Sequence, residues 1–70
     1  MNENDCLNKS VSFTEHYNSD RKMVTIKGQA YIGVITGFPL SINRGYEDFV
    51  FVTGRDMNLY LVHKSSLKFI

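Results

Sequence analysis

The stretch that decides the fold is Gly28-Gln-Ala-Tyr-Ile-Gly33-Val-Ile-Thr-Gly-Phe38, where β-branched and aromatic residues surround Gly33 and Gly37. This composition is typical of a long strand. A glycine inside a strand marks a bend or the close approach of another backbone. Two such glycines in one strand are expected where a sheet curls. The stretch therefore predicts a small and strongly bent β structure.

Further strands are predicted on both sides of this stretch. From Met23 onward the chain is predicted to be β, since Val24 and Ile26 alternate with Thr25 and Lys27. The apolar runs 49–52 and 59–62 flank the turn sequence Gly54-Arg-Asp56. Lys64-Ser-Ser66 predicts one 3₁₀ turn before a last strand over residues 67–70. The fold class is thus all-β, with five short antiparallel strands closed into a small barrel. The core predicted for it contains Val24, Ile26, Ile32, Val34, Phe38 and Leu67.

The first twenty residues are predicted to be an acidic N-terminal arm, and residues 21–70 to be the barrel domain. Two interpretations of residues 11–17 stay open. Ser12 and Glu15 have the spacing of a capping box, which favours a short helix. Val11, Phe13 and Tyr17 also fit a period of two, which favours a strand.

Charge, length and cysteine content narrow the class of protein. Net charge is −3 over residues 1–20 and +4 over residues 21–70, so an acidic arm precedes a basic domain. Cys6 is the single cysteine, which rules out an internal disulfide. A chain of 70 residues buries a small core, and we expect a homo-oligomer. No signal peptide or membrane span is visible, so we expect a cytoplasmic protein without membrane contact.

The predicted strands 49–52 and 59–62 are apolar on both faces. Phe49 and Phe51 cannot share the inside of a sheet with Val50 and Val52, because successive side chains point to opposite faces. The second face must therefore be covered. The two covers expected are another subunit and the 11–17 segment, which holds Phe13 and Tyr17.

The spacing Gly28-x₄-Gly33-x₄-Phe38 resembles the first motif of Sm-like proteins, and Val62-His-Lys-Ser-Ser-Leu67 resembles the second motif of the Hfq-like RNA chaperones. The resemblance covers about residues 24–70. It implies a five-stranded Sm-like or SH3-like barrel, a ring, and RNA bound at the pore by the lysine that Lys64 matches. Ser65 stands at the family's histidine position and His63 at its tyrosine position.

A nucleic-acid hypothesis follows from the basic charge and the interleaved aromatic residues. Cations neutralise phosphates, and tyrosine rings stack on bases. The partner would be RNA or DNA. The candidate residues are Lys27, Tyr31, Arg44, Arg55, Tyr60, His63, Lys64 and Lys68.

The second hypothesis is a small SH3-like regulator or inhibitor that binds a protein through its sheet edge and the 40–48 loop. Its candidate interface residues are Phe13, Tyr17, Tyr46, Val50 and Val52. His63 beside Ser65 lacks the orienting acid of a catalytic triad, so we expect no enzyme. The cysteine and histidines do not have the spacing of a zinc site, and we expect no metal or cofactor.

Overall fold

The computed structural model describes residues 3–39 and 45–70, and it is almost entirely β. The elements are α1 (Glu3–Cys6), β1 (Ser10–Phe13), β2 (Glu15–Tyr17), β3 (Met23–Thr25), β4 (Tyr31–Gly37), β5 (Phe49–Gly54), β6 (Leu59–His63), a 3₁₀ turn (Lys64–Ser66) and β7 (Lys68–Phe69). The predicted all-β class and the predicted 3₁₀ turn are confirmed. No helix in the described ranges is both long enough and apolar enough to cross a membrane.

All strands belong to one antiparallel sheet of seven, in the order β3-β2-β6-β5-β4-β1-β7. The five strands predicted in residues 23–70 are present, but the total of five was wrong because residues 10–17 supply two more. The sheet has two ends, β3 and β7, so it is open. The strand order therefore does not show the predicted closure into a five-stranded barrel.

Residues 10–17 form strands because their apolar side chains belong to the core. Val11 is 0% exposed and Phe13 is 1% exposed, a burial that period-two alternation provides. The capping box does not form. Ser12 pairs with Ile32 in β4, and the Glu15 carboxylate accepts a hydrogen bond from the Ser66 hydroxyl at 2.6 Å. This segment is thus part of the sheet rather than a separate arm.

The inward face of β4 is the opposite of the predicted one. Ile35 is 0% exposed, and Ile32 and Val34 are only half-buried on the other face. Gly33 shares the inward face, where a Cβ would lie 2.5 Å from the carbonyl oxygen of Thr53. Only glycine fits where β4 and β5 approach this closely, and the register of the two strands shifts further along, between Ile35 and Gly37.

The observed core is built mainly from β1, β4, β5 and β6. Its buried members are Cys6, Val11, Phe13, Ile35, Val50, Val52 and Val62. Of the predicted core residues, Ile26, Phe38 and Leu67 pack against this cluster while partly exposed, and Val24 is 39% exposed on the edge strand β3. The prediction is confirmed in part for Ile26, Phe38 and Leu67, which pack against the core, and wrong for Val24, Ile32 and Val34, which do not belong to it.

Candidate functional site

The outer face of the β5–β6 hairpin is apolar, as the two-faced pattern predicted. Val50, Val52 and Val62 point inward and are at most 1% exposed. On the other face, Phe51 lies opposite Leu61, and Leu59 is 63% exposed. A row of large apolar side chains therefore stands outside the core.

The β2–β3 hairpin covers one end of this outer face. Tyr17 pairs with Leu61, and its ring meets the ring of Phe49 edge to face, with centroids 4.9 Å apart. The rings of Tyr46 and His63 lie 5.7 and 5.0 Å from the same Phe49 ring. Edge-to-face ring pairs at these distances are favourable. The cover expected from the Tyr17 segment is present over Phe49.

The part of the outer face that Tyr17 does not cover forms a groove of about 670 Å³. The β2–β3 hairpin, β6 and the residues Pro39 and Tyr46 border this groove. Its walls include Tyr17, Pro39, Tyr46, Phe51, Leu59 and Leu61. Large apolar and aromatic walls with a few polar groups are the usual lining of a binding groove. We call this feature the aromatic groove.

The tip of the β2–β3 hairpin is fixed locally, and it places a cation over the groove wall. The Asn18 side-chain oxygen accepts hydrogen bonds from the backbone N–H groups of Asp20 and Lys22, both at 3.0 Å. Arg21 adopts a positive φ of 62°, and its guanidinium carbon lies 4.2 Å from the centre of the Tyr46 ring. This cation–π contact links the hairpin to the segment before β5.

His63 caps the 3₁₀ turn. Its Nδ1 accepts the backbone N–H of Ser65 at 3.2 Å and lies 2.8 Å from the Ser65 hydroxyl. The next residue, Ser66, donates its hydroxyl to Glu15. The His63–Ser65 pair therefore has a capping role that explains its geometry.

A second pocket, of about 360 Å³, lies at the β5–β6 turn and contains Tyr31, Arg55 and Tyr60. The Tyr60 hydroxyl donates to the Asp56 carboxylate at 2.5 Å, and Asn58 donates to it through its backbone and its side chain. These bonds lower the pKa of Asp56, because each one stabilises the charged carboxylate. The same bond to Asp56, which favours the neutral phenol, raises the pKa of Tyr60.

The other nucleic-acid candidates are dispersed over the described part of the chain. Lys64 begins the 3₁₀ turn at the opposite end of β6 from Arg55, and its backbone N–H donates to the backbone carbonyl of Asp48. Lys27 follows the edge strand β3, and Lys68 lies in the edge strand β7. Arg44 lies outside the described residues. The structure brings together Tyr31, Arg55 and Tyr60 but not the lysines.

The protein-interface candidates separate into two groups. Phe13, Val50 and Val52 are in the core and at most 1% exposed, so they offer no surface to a partner. Tyr17 and Tyr46 do line the aromatic groove. The residues missed by sequence reasoning are Phe51, Leu59 and Leu61. The sequence signal for them was the apolar pattern on both faces of strands 49–52 and 59–62. Sequence reasoning assigned Val50 and Val52 to the outer face, but the larger side chains occupy that face.

Within the described ranges, no group of three histidine, cysteine or acidic side chains is arranged to hold a metal ion. Cys6 is buried at 4% exposure and packs in the core. A scan against protein-family models and searches of the curated proteins and the solved structures found no match for this chain. Its function is therefore inferred from its own residues.

Proposed function

We propose that this protein is a non-catalytic binding module that holds an extended segment of another protein in the aromatic groove. The observation that carries the proposal is the open, apolar and aromatic groove between Tyr17, Tyr46 and Leu59. Tyrosine-lined clefts supply large contact area at a low cost in side-chain entropy, which is why tyrosine is common in interface hot spots.

Leu59 is the groove residue whose burial by a partner contributes most to the free energy of binding. Leu59 is 63% exposed, and complete burial of such a side chain contributes about 1.5–3 kcal/mol. The partly exposed Phe51 and Leu61 beside it extend the same apolar surface. A partner that buries these three side chains gains enough free energy to offset part of the entropy lost on association.

For the fold, we propose a small barrel of the SH3-like or Sm-like kind. Five strands follow one another in the order β7-β1-β4-β5-β6, with a 3₁₀ turn before the last one in the chain. Thr14 alone separates β1 from β2, yet β1 pairs with β4 and β2 pairs with β6. One continuous segment thus contacts both sides of the β4–β5–β6 meander, which supports a sheet curled toward closure.

The absence of catalysis is also part of the proposal. The one histidine–serine pair that suggested nucleophilic chemistry is explained by the cap at the 3₁₀ turn, where His63 Nδ1 accepts the Ser65 backbone N–H. A serine nucleophile needs a base that is free to take its proton and an acid that orients this base. The capping arrangement favours a structural role for both side chains.

A second candidate function is single-stranded nucleic-acid binding at the pocket of Tyr31, Arg55 and Tyr60. Tyr31 is 41% exposed, and an exposed ring beside an arginine suits a stacked base and a phosphate. The Asp56 carboxylate in the same pocket opposes a phosphate, so we place this function second. A steep fall of affinity with salt would identify it.

The test is a peptide library displayed on phage and selected on the parent protein. We expect selected peptides to lose at least tenfold in affinity for Leu59→Glu, because a carboxylate then stands in the apolar groove. Met57→Glu is the matched control, since Met57 is 83% exposed on the neighbouring turn and does not line the groove. Equal binding to both variants, or no selected peptide, would remove the proposal.

We propose that the expected homo-oligomer forms through the same apolar outer face. Light scattering at micromolar concentration measures it directly. We expect any oligomer of the parent to dissociate in Leu59→Glu and to persist in Met57→Glu. A monomeric parent would exclude the second copy and leave the groove to another protein.

A further inference from the structure

The edge strand β3 offers a second surface, away from the floor of the aromatic groove. Among the described strands, β3 has one neighbour, β2, and it forms one end of the sheet. All three of its residues are exposed, with Met23 at 53% and Val24 at 39%. An apolar edge strand of this kind can pair with a further strand.

The hydrogen bonds of the β2–β3 hairpin show which backbone groups face outward. The N–H of Ile26 donates to the carbonyl of Thr14, and the N–H of Asn18 donates to the carbonyl of Lys22. Hydrogen-bonded pairs alternate with non-hydrogen-bonded pairs along an antiparallel ladder. The backbone N–H and C=O groups of Met23 and Thr25 therefore point away from β2.

Lysines stand at both ends of this edge. Lys22 directly precedes β3, Lys27 follows it by two residues, and both are exposed. Residues 20–27 carry Arg21 and these two lysines against the single acid Asp20, a net charge of +2. The ends of the strand are therefore complementary to negative charge.

We propose that β3 accepts, as an added strand, an extended protein segment with apolar residues at its centre and Asp or Glu at both ends. The outward N–H and C=O groups of Met23 and Thr25 bond the added backbone. Apolar residues of the added strand cover Met23 and Val24, and its terminal carboxylates lie beside Lys22 and Lys27. Opposite charges across a strand pair are favourable, and this arrangement places them at both ends.

A second copy of this chain is a poorer occupant of the same edge. Pairing Met23 with Thr25 of the second copy engages both outward positions and runs the strands antiparallel. That register places Lys27 of each copy directly opposite Arg21 of the other, and Lys22 opposite Ile26. Like charges opposite each other destabilise a strand pair, so Lys27 and Arg21 select against self-pairing and for an acidic segment.

The test uses two synthetic peptides, acetyl-EEVVVEE-amide and acetyl-KKVVVKK-amide, added to the isotopically labelled protein; their three valines present apolar side chains on both faces, over Met23 and Val24. We expect the acidic peptide to shift the amide signals of Met23 and Thr25, and to bind at least tenfold tighter than the basic one. Lys22→Glu and Lys27→Glu should each weaken the acidic peptide by roughly fivefold, as expected for reversal of one cross-strand charge pair.

The Thr25→Pro variant tests the backbone contact. Proline removes the outward N–H, whereas the ladder to β2 keeps its bonds at Ile26 and Lys22, so the hairpin is retained. Thr25→Ala, the matched control, keeps the N–H and should bind like the parent. If Thr25→Pro does not fold, the double variant Lys22→Glu/Lys27→Glu decides: we expect the preference between the two peptides to reverse.

Equal affinity for the two peptides would overturn the proposal, and so would shifts confined to other residues. Absence of binding at millimolar peptide would also overturn it and show that Lys27 and Arg21 only keep copies apart. This site does not depend on the aromatic groove. Leu59→Glu should leave binding of the acidic peptide unchanged, so failure at one site is distinguishable from failure at the other.

Discussion

Both faces of the β5–β6 hairpin carry apolar side chains, but the two faces differ in exposure. The inner face carries Val50, Val52 and Val62, all at most 1% exposed. The outer face carries larger side chains, among them Phe51 and Leu59, and Leu59 is 63% exposed. On this hairpin the three valines lie in the packed core, whereas Phe51 and Leu59 stand outside it. The apolar outer face is therefore available for binding, and the inner face holds the fold.

The largest expected effect comes from placing a charge on the inner face. Val52→Asp buries a carboxylate at a fully buried position, which costs more than the free-energy margin of a domain this small. We expect no cooperative thermal transition in this variant. Leu59→Asp, on the outer face, should keep its melting temperature within a few degrees of the parent. A folded Val52→Asp protein would show that the inner face tolerates a charge and does not hold the fold.

The next largest effect is expected from a substitution at Gly33, where β4 closely approaches β5 beside Val52. Gly33→Ala places a Cβ 2.5 Å from the Thr53 carbonyl oxygen and 2.7 Å from a Val52 methyl, so β4 and β5 must separate. Overpacking of this kind costs about 1–3 kcal/mol. The control is Gly37→Ala, where the nearest atom is 3.9 Å away. Urea unfolding measures both, and equal stability of the two variants would contradict the close approach at Gly33.

These glycines also show how far the sequence predicts the fold. Turn residues and β-branched runs located the strands between residues 23 and 70 and the 3₁₀ turn, because these are local signals. The inward face of β4 was not predictable from side-chain size. It accompanies a non-local contact, the close pairing of Gly33 with β5, and Ile32 and Val34 lie on the other face.

The aromatic groove, like the fold, was predictable from the sequence only in part. The two-faced apolar pattern indicated that the outer face needs a cover, and Tyr17 does lie over Phe49. The choice between the valines and the larger residues depended on the register of the hairpin, which one residue of slip would invert. The meeting of Tyr17 and Tyr46 at one groove is a tertiary effect that no local pattern contains.

A smaller effect concerns the turn that sets this register. Asp56 accepts hydrogen bonds from Tyr60 and Asn58, and its pKa lies below the ordinary value of 3.8. A carboxylate with a lowered pKa stabilises the folded state above its unfolded pKa, and this contribution is lost as pH falls through the folded value. The urea midpoint of the parent should exceed that of Asp56→Asn at neutral pH, and the difference should vanish in acid below pH 3.8.

The control for this pH dependence is Asp20→Asn, which removes an exposed acid from another turn. Its urea midpoint, measured over the same pH range, provides the reference for removing one acidic side chain. A difference between the parent and Asp56→Asn that persists unchanged into acid would show that the Asp56–Tyr60 bond does not hold the turn.

The smallest expected effect is that of removing the His63 ring, which packs on Phe49 behind the aromatic groove. His63→Gln removes the ring that packs on Phe49 but keeps a side chain able to accept a hydrogen bond. We expect a loss of about 0.5–1.5 kcal/mol in unfolding free energy, the contribution of one aromatic pair. Peptide binding should weaken as well, because Phe49 supports Tyr17 and Tyr46. Isothermal titration with a selected peptide measures this change.

The most direct test of the groove is a methyl-labelled NMR titration with a peptide selected on the parent protein. The leucines on the outer face, Leu59 and Leu61, should shift strongly at saturation, while the core methyl groups of Val50 and Val62 move little. This result would identify the outer face of the β5–β6 hairpin as the binding surface. Unmoved leucine methyl groups, with shifts at Tyr31 and Arg55 instead, would contradict the account and assign binding to the second pocket.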